Sequence, residues 1–350
     1  MKRIVLGMLL VLNMAAVSGR GETPASSNPS WGGQTMGSTY SVTLADALPN
    51  ASDLEQLKAD TEKLLAKLNH QMSHYQSDSE ISLFNKSTST APFKVSSEFS
   101  RAAHFARELY DRSGGAFDPT LGPLINAWGF GPKGRRDKEP EDAEILAAAD
   151  ICGGGHFLVT GGNTIVKNIP QLQLNMSAVV AGFAADEVAA LLRARGLTNY
   201  FVDITTEIVV SGHNPEGKPW RIGLETPNAA AAQGEEIEAV LNVSQGAVST
   251  SGDYRNYFED EKGTRFSHIL DPHTGRPIQH HLGSVTVVAG NGITADGLAT
   301  TLFVMGPDEG LPWLKSWLGA EALFIIRNAD GTYKEVASPG FERVTGYKQK

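Results

Sequence analysis

The sequence is almost free of cysteine, with Cys152 as the single example in 350 residues. One cysteine excludes a disulfide bond within the chain, and no cysteine follows the N-terminal apolar stretch, where a lipid anchor would need one. An isolated thiol is more often a small buried side chain than a nucleophile. Disulfide scaffolds, lipid anchoring and thiol catalysis are therefore not indicated.

Positive charge is also scarce, because 30 Lys and Arg face 39 Asp and Glu and leave a formal net charge of −9. Such a chain lacks the basic surface that holds nucleic acid or anionic lipid. No GxGxxG after a first strand, P-loop, HExxH or paired CxxC occurs. Nucleic acid partners, common dinucleotide sites and metalloprotease sites are not expected.

Long apolar runs are absent after the N-terminus. Met1-Lys2-Arg3 precedes an apolar stretch at 4–17, which is shorter than the about 20 residues of a membrane span. Basic residues followed by such a stretch are typical of a signal peptide. We predict a signal peptide at 1–20, a flexible leader at 21–33 and one domain at 34–350. The protein is then expected to be exported and periplasmic, without stable membrane insertion.

Helical spacing of apolar residues and turn residues at the ends indicate six helices. They are predicted at 53–72, 97–112, 140–150, 182–195, 295–305 and 311–318. The first begins with Ser52-Asp-Leu-Glu55, which has the form of a capping box. The Gly-rich and charged segment 122–139 is predicted to be a long ordered loop.

Strands are predicted at 200–204, 207–211, 221–225, 239–243, 282–288 and 322–327, and a hairpin joins 157–159 to 164–166 around Gly161-Gly162-Asn163. Helices and strands cluster along the chain and do not strictly alternate. That arrangement favours an α+β fold with a mainly antiparallel sheet and flanking helices over a doubly wound parallel fold.

The segment 266–278 is the densest in chemical groups, because His268, Asp271 and Thr274 lie in a turn framed by Pro272 and Gly275. A histidine held in a fixed turn can serve as an acid or base toward a ligand. A decorated surface loop is the alternative interpretation of the same residues.

Two further segments could contact a ligand. Asp296 and Thr300 share one face of a predicted helix and offer oxygen ligands that suit Mg²⁺, although a capping Asp and a Thr bonded to its own helix have the same spacing. In the turn 115–123, Phe117 could meet a planar ligand and Asp118 could accept its hydrogen bonds, or the turn could simply be packed.

Several motifs occur together in one order: Thr35-Met-Gly-Ser-Thr39, Met72-Ser-His-Tyr75, Gly115-Ala-Phe-Asp-Pro119, the segment 175–186, Ser249-Thr-Ser-Gly-Asp-Tyr254, His268-Ile-Leu-Asp-Pro-His-Thr-Gly275 and Ala295-Asp-Gly-Leu-Ala-Thr300. As a set they resemble the FAD:protein FMN transferase family, also called ApbE-like, from about Gln34 to the C-terminus. The resemblance implies the ApbE-like, T-fold-related architecture.

It also implies an exported, Mg²⁺-dependent enzyme that cleaves the FAD pyrophosphate, attaches FMN to a Thr or Ser of a redox partner protein and releases AMP. His268 is then the catalytic acid or base. Residues implied at the metal are Ala178, Asp296 and Thr300. Residues implied at FAD are Met36, Tyr75, Ala116, Phe117, Asp118, Asn175, Ala181 and Leu270.

Three departures from the family pattern bear on activity. Asn175 and Ala181 stand where the family usually has Asp and a Lys or Glu, and Thr205-Thr206 replaces a usual Gly-Gly. The substitutions remove charge, and the two threonines could strain a turn that needs positive φ. An FAD pyrophosphatase that gives FMN and AMP, and an FAD-binding protein deficient in turnover, are the alternative functions.

Overall fold

The structure, a computed structural model, describes residues 28–136, 138–228, 235–261 and 263–349. The predicted signal peptide and residues 21–27 of the predicted leader lie outside these ranges. Helices are α1 Ala51–Met72, α2 Glu80–Lys86, α3 Ser97–Ser113, α4 Gly122–Ala127, α5 Asp142–Ala149, α6 Val180–Ala194, α7 Gly292–Leu314 and α8 Phe341–Thr345. No described helix combines the length and apolar character that a membrane crossing requires.

The strands follow in chain order. They are β1 Ser30–Thr35, β2 Ser38–Leu44, β3 Phe93–Lys94, β4 Phe157–Thr160, β5 Thr164–Lys167, β6 Tyr200–Ile204, β7 Glu207–Ser211, β8 Trp220–Glu225, β9 Ile237–Val243, β10 Gln245–Gly252, β11 Tyr257–Glu259, β12 Arg265–Ser267, β13 Leu270–Asp271, β14 Arg276–Pro277, β15 Leu282–Ala289, β16 Glu321–Arg327 and β17 Tyr333–Ala337.

An eight-stranded sheet in the order β1-β2-β6-β7-β10-β15-β16-β17 organises the fold, and every neighbouring pair is antiparallel. One face carries Val42, Val209 and Val287 and packs against the helices. The other face carries Val210 and Val288 and is covered by the β8–β9 hairpin. The α+β prediction with a mainly antiparallel sheet is confirmed.

Both faces of the sheet are covered at its centre, which explains why the sequence of β15 is almost entirely apolar or small. All eight of its residues are buried, so its sequence lacks the apolar and polar alternation of a half-exposed strand. Val285 and Val287 face the helices, whereas Val288 faces the hairpin.

The predicted helices are present, with instructive differences at their ends. The two C-terminal helices are joined as α7, which is kinked at Gly306, where φ is 71° and Pro307 follows. Asn50, and not Ser52, caps α1, because the Asp53 carboxylate accepts the Asn50 backbone N–H at 3.0 Å.

Three other boundaries correct the sequence analysis. The segment 122–139 is not wholly loop, since its start forms α4, with Pro123 in the first turn, where a missing N–H costs nothing. β1 begins at Ser30, before the predicted start of the domain near Gln34. The short helix α2 was not predicted; Ser79 caps it by accepting the Ser82 N–H.

Cys152 behaves as the sequence indicated. Its side chain packs beside the small cluster around Trp128, and its thiol donates to the Ala148 carbonyl at 3.2 Å. Burial raises the pKa of the Cys152 thiol to about 12, which leaves it protonated and unreactive at neutral pH.

Candidate active site

A cavity of about 1030 Å³ opens where the ends of the central strands meet the first turn of α7 and the segment after β12. This volume suits a ligand of cofactor size. Residues of the sequence-predicted site that line it are Ala116, Phe117, Asp118, Asn175, Ala178, His268, Leu270, Asp296 and Thr300. Segments that are far apart in the chain thus converge on one space.

His268 follows β12 and is oriented by one carbonyl group. The Asn256 carbonyl accepts both the backbone N–H of His268 and its ring Nδ1, each at 3.1 Å. Since a carbonyl can only accept, Nδ1 carries the proton and Nε2 is left as an acceptor. Burial lowers the pKa of His268, so the ring is a neutral base at pH 7.

Asp296 lies on the first turns of α7 and is 5% exposed. Its Oδ2 accepts the Gly182 backbone N–H at 3.0 Å, and burial, with the charge of Asp186 adding, raises the pKa of Asp296 to about 7. Asp186 in turn accepts the N–H groups of Gly292 and Ile293 at 2.6 and 2.9 Å. The paired starts of α6 and α7 thereby hold one carboxylate at the cavity.

Two glycines make this helix pairing possible. A Cβ atom on Gly182 would lie 2.2 Å from the Gly292 carbonyl oxygen, and one on Gly292 would lie 2.2 Å from the Gly182 carbonyl oxygen. Any side chain at either position would force the helix starts apart. The glycines therefore bring the Gly182 N–H to Asp296.

Thr300 lies one helical turn after Asp296, as predicted, and faces the same cavity. Its hydroxyl is 3.1 Å from that of Ser251 on β10. Among the described residues no three His, Cys, Asp or Glu side chains are grouped as metal ligands. A cation here would rely on the Asp296 carboxylate together with hydroxyl and carbonyl oxygens, a donor set that fits Mg²⁺.

The turn at Ala116–Asp118 is held by its own hydrogen bonds. Asp118 Oδ1 accepts from the Thr120 N–H at 2.8 Å and its hydroxyl at 2.6 Å, and Oδ2 accepts from the Gly154 N–H at 3.2 Å. Phe117 is 4% exposed, and burial raises the pKa of Asp118. The turn presents a rigid aromatic and acidic wall to the cavity.

Asn175 forms hydrogen bonds within its own loop and to a neighbouring turn. Its Oδ1 accepts the Ser177 N–H at 2.9 Å, and its backbone N–H donates to the Pro119 carbonyl at 2.7 Å. The second bond connects the 116–119 turn to the segment that carries Ala178. The backbone N–H of Asn175 therefore joins its segment to the 116–119 turn, while the uncharged side chain of Asn175 bonds only within its own loop.

Three residues predicted at FAD lie elsewhere. Met36 is in the β1–β2 turn with φ of 50° and packs partly against the main core. Tyr75 is 66% exposed, with its ring 4.4 Å from that of His74. Ala181 is buried in α6 next to Gly182. None of the three lines the cavity as the structure describes it.

Other cavity groups were not predicted from the sequence. Asp203 and Glu207 flank the turn Thr205-Thr206, and all four residues line the cavity. Burial raises the pKa of Asp203 to about 6 and that of Glu207 well above its ordinary value. The sequence carried only a weak sign that these residues line a site, namely two acidic residues within a β-rich part of the chain. The threonines have φ of 54° and 82°, which confirms that this turn needs positive φ.

The chain was compared with known proteins. The family model described as "ApbE family" matches residues 36–324. "FAD:protein FMN transferase" of Haemophilus influenzae is 37% identical over 100% of both chains, and the protein of that name from Vibrio cholerae is 42% identical over 89% of this chain and 90% of its own. Among solved structures, "Flavin Transferase ApbE from Vibrio cholerae" has a TM-score of 0.81, with 39% identity over 90% of this chain and 98% of its own.

Proposed function

The chain belongs to the ApbE family, and on that premise we infer that it is an FAD:protein FMN transferase. The reaction transfers FMN from FAD to a hydroxyl group of an acceptor protein. The observation that carries this function is that His268 and the buried Asp296 face one cavity of cofactor size, and that the His268 Nε2 makes no hydrogen bond to any described residue.

We propose that His268 is the general base. The Nε2 lone pair takes the proton of the acceptor Thr or Ser hydroxyl as its oxygen attacks the FMN phosphorus of FAD. The bond to that phosphorus forms, the pyrophosphate P–O bond breaks, and AMP leaves with the bridging oxygen. The Asn256 carbonyl keeps Nδ1 protonated and the ring oriented throughout.

We propose that Asp296, Thr300 and the backbone carbonyl of Ala178 hold Mg²⁺. When bound, Mg²⁺ would offset the charge that develops on the pyrophosphate oxygens. The fit of these oxygen donors supports the proposal. Two solvent-closed oxygens nearby, the Glu207 Oε2 and the Ser249 Oγ, also support it, since they make no hydrogen bond of full geometry among the described residues. Gly182 keeps the carboxylate of Asp296 in position.

The FAD site is proposed to use the turn Ala116–Asp118, Asn175 and Leu270, which line the cavity. Met36, Tyr75 and Ala181 remain predictions of the family resemblance. The proposed acceptor is an exported redox protein, and export rests on the signal-peptide pattern at 1–20. Cell fractionation, with a variant lacking residues 2–20 as the control, tests the exported location.

Purified protein incubated with FAD and Mg²⁺, with and without an acceptor that bears a flavinylation Thr, tests the reaction. We expect AMP release and covalent flavin only when the acceptor is present. AMP release that does not depend on the acceptor would identify an FAD pyrophosphatase. Intact FAD bound in both samples would identify a binding protein.

A further inference from the structure

Glu207 and Ser249 are directly opposite each other on neighbouring strands. β7 and β10 pair with Val209 opposite Ala247 and Ile208 opposite Val248, so the next pair in the register is Glu207 and Ser249. Side chains alternate along a strand, and the pair therefore shares the face of Val209 and Ala247. That face packs against the helices.

Both side chains carry an oxygen that is closed to solvent and incompletely satisfied, the Oε2 of Glu207 and the Oγ of Ser249, and Ser249 is 1% exposed. Within the described part of the chain neither atom makes a hydrogen bond of full geometry. The Ser249 hydroxyl faces the Glu207 carboxylate and partly opposes the rise in its pKa. Buried polar atoms without partners cost stability and are rare in native folds. An arrangement that leaves two of them together needs a further group to satisfy them.

Burial raises the pKa of Glu207, and the charge of Asp296 and, to a smaller extent, that of Asp203 add to the rise. Glu207, Asp296 and Thr300 all line the same cavity. Two buried carboxylates repel each other unless a cation or a proton lies between them. A divalent cation would neutralise both carboxylates. A single carboxylate would neutralise only half of the charge of that cation.

We propose that Glu207 supplies a second carboxylate to the cation site built on Asp296 and that Ser249 supports it from the opposite strand. This inference rests on the metal site of the proposed function. The proposal adds a cation ligand from β7 to those that the sequence motif on α7 implies. The Glu207 carboxylate then faces the cation, and the Ser249 hydroxyl orients that carboxylate.

The test measures binding of Mn²⁺ alone to the full chain by electron paramagnetic resonance and of Mg²⁺ alone by calorimetry, without FAD. We expect Glu207→Gln to weaken binding at least about tenfold, as loss of a group around a metal commonly does. Glu207→Asp, which keeps the charge, should bind with intermediate affinity. Ser249→Ala should weaken binding less than Glu207→Gln.

Asp203→Asn is the matched control. Asp203 lines the same cavity on the adjacent strand, but it pairs with Ile208 in the register and so lies on the hairpin side of the sheet. We expect this variant to bind Mn²⁺ as tightly as the wild type. An equal loss in both variants would mean that the total negative charge of the cavity, and not Glu207, decides binding, and would overturn the inference.

Thermal melting without and with Mg²⁺ separates a cation role from a structural one. If Glu207 serves the cation, Glu207→Gln leaves the cation with one ligand charge fewer, so Mg²⁺ should raise the melting temperature of this variant less than that of the wild type. A lower melting temperature with unchanged Mn²⁺ affinity would show a structural role and overturn the proposal. If Asp296→Asn loses Mn²⁺ while Glu207→Gln keeps it, the proposed metal site stands and this inference fails.

Discussion

At the scale of single residues, Thr205 and Thr206 hold a conformation that β-branched side chains avoid. Their φ values are 54° and 82°, and such a position costs an ordinary residue roughly 1–2 kcal/mol. The Thr206 N–H compensates in part by donating to Asp203 Oδ1 at 2.9 Å. The turn is kept in a strained form at the edge of the cavity.

We expect Thr206→Gly to raise the free energy of unfolding by about 1 kcal/mol, because glycine adopts positive φ without strain and keeps the N–H bond to Asp203. Urea denaturation measures the change. Thr43→Gly on β2 is the control and should lower stability, since its φ is not positive and glycine weakens a strand. A loss of stability in Thr206→Gly would contradict the strain argument.

His268 and His273 allow a second comparison at this scale. His268→Ala should reduce flavin transfer by about 10²–10⁴-fold, the usual share of a general base. His273→Gln is a matched control from the same segment, because its side chain is 63% exposed and bonds Asp271 outside the cavity lining. Single-turnover AMP release measures both, and full activity in His268→Ala would remove it from the mechanism.

The pH dependence of transfer follows from the lowered pKa of His268. Because burial disfavours its charged form, the folded pKa lies below the ordinary 6.5, and His268 is neutral and active at pH 7. We expect kcat/KM to fall only as the pH drops through that lowered value. An acid limb centred above 6.5 would show that another group controls the rate.

At the scale of elements, the contact between α6 and α7 decides where Asp296 lies. Gly182→Ala would place a methyl group against the Gly292 carbonyl, and such overpacking costs about 1–3 kcal/mol. The same shift would lengthen the bond from the Gly182 N–H to Asp296. We expect lower stability and weaker Mg²⁺ binding together.

Gly290→Ala provides the control, because a Cβ atom there meets nothing within 4 Å and its φ is not positive. Denaturation and Mg²⁺ calorimetry should show this variant close to the wild type. If Gly182→Ala were equally neutral, the close approach of the helix starts would not be needed to hold Asp296.

At the scale of the whole molecule, buried acids around the cavity make stability depend on pH. Burial raises the pKa of Asp203 to about 6, although the Thr206 N–H opposes the change. Between the unfolded value near 3.8 and about 6, the folded chain keeps a proton that the unfolded chain releases. Asp203 therefore lowers stability as the pH rises through that window.

The quantity to follow is the free energy of unfolding of the wild type minus that of Asp203→Asn. We expect this difference to fall from pH 4 to about 6 and then to level off. Asp46→Asn is a control of opposite sign, since hydrogen bonds from Asn199 and Thr198 outweigh burial and lower the pKa of Asp46. For Asp46 the same difference should grow as the pH rises from its folded pKa to the ordinary value near 3.8, and it should then stay level. Chemical denaturation in EDTA across the pH range measures both.

The sequence alone determined much of the local structure and indicated candidate residues of the site. Apolar spacing predicted α1, α3 and α6, and glycines marked the ends of α3 and α6. Turn residues predicted the β4–β5 hairpin. These features depend on neighbours a few residues apart. The ordered motifs indicated the family and brought His268, Asp296 and Thr300 into the prediction. Those three residues face one cavity.

Only the tertiary structure decided which residues from distant segments of the chain are in contact. The pairing of Glu207 with Ser249 depends on the register of β7 and β10, and the position of Asp296 depends on the Gly182–Gly292 contact between α6 and α7. The burial of β15 on both faces depends on the β8–β9 hairpin. Each is a contact between distant segments, and propensity and spacing, which act over a few residues, carry no information about it.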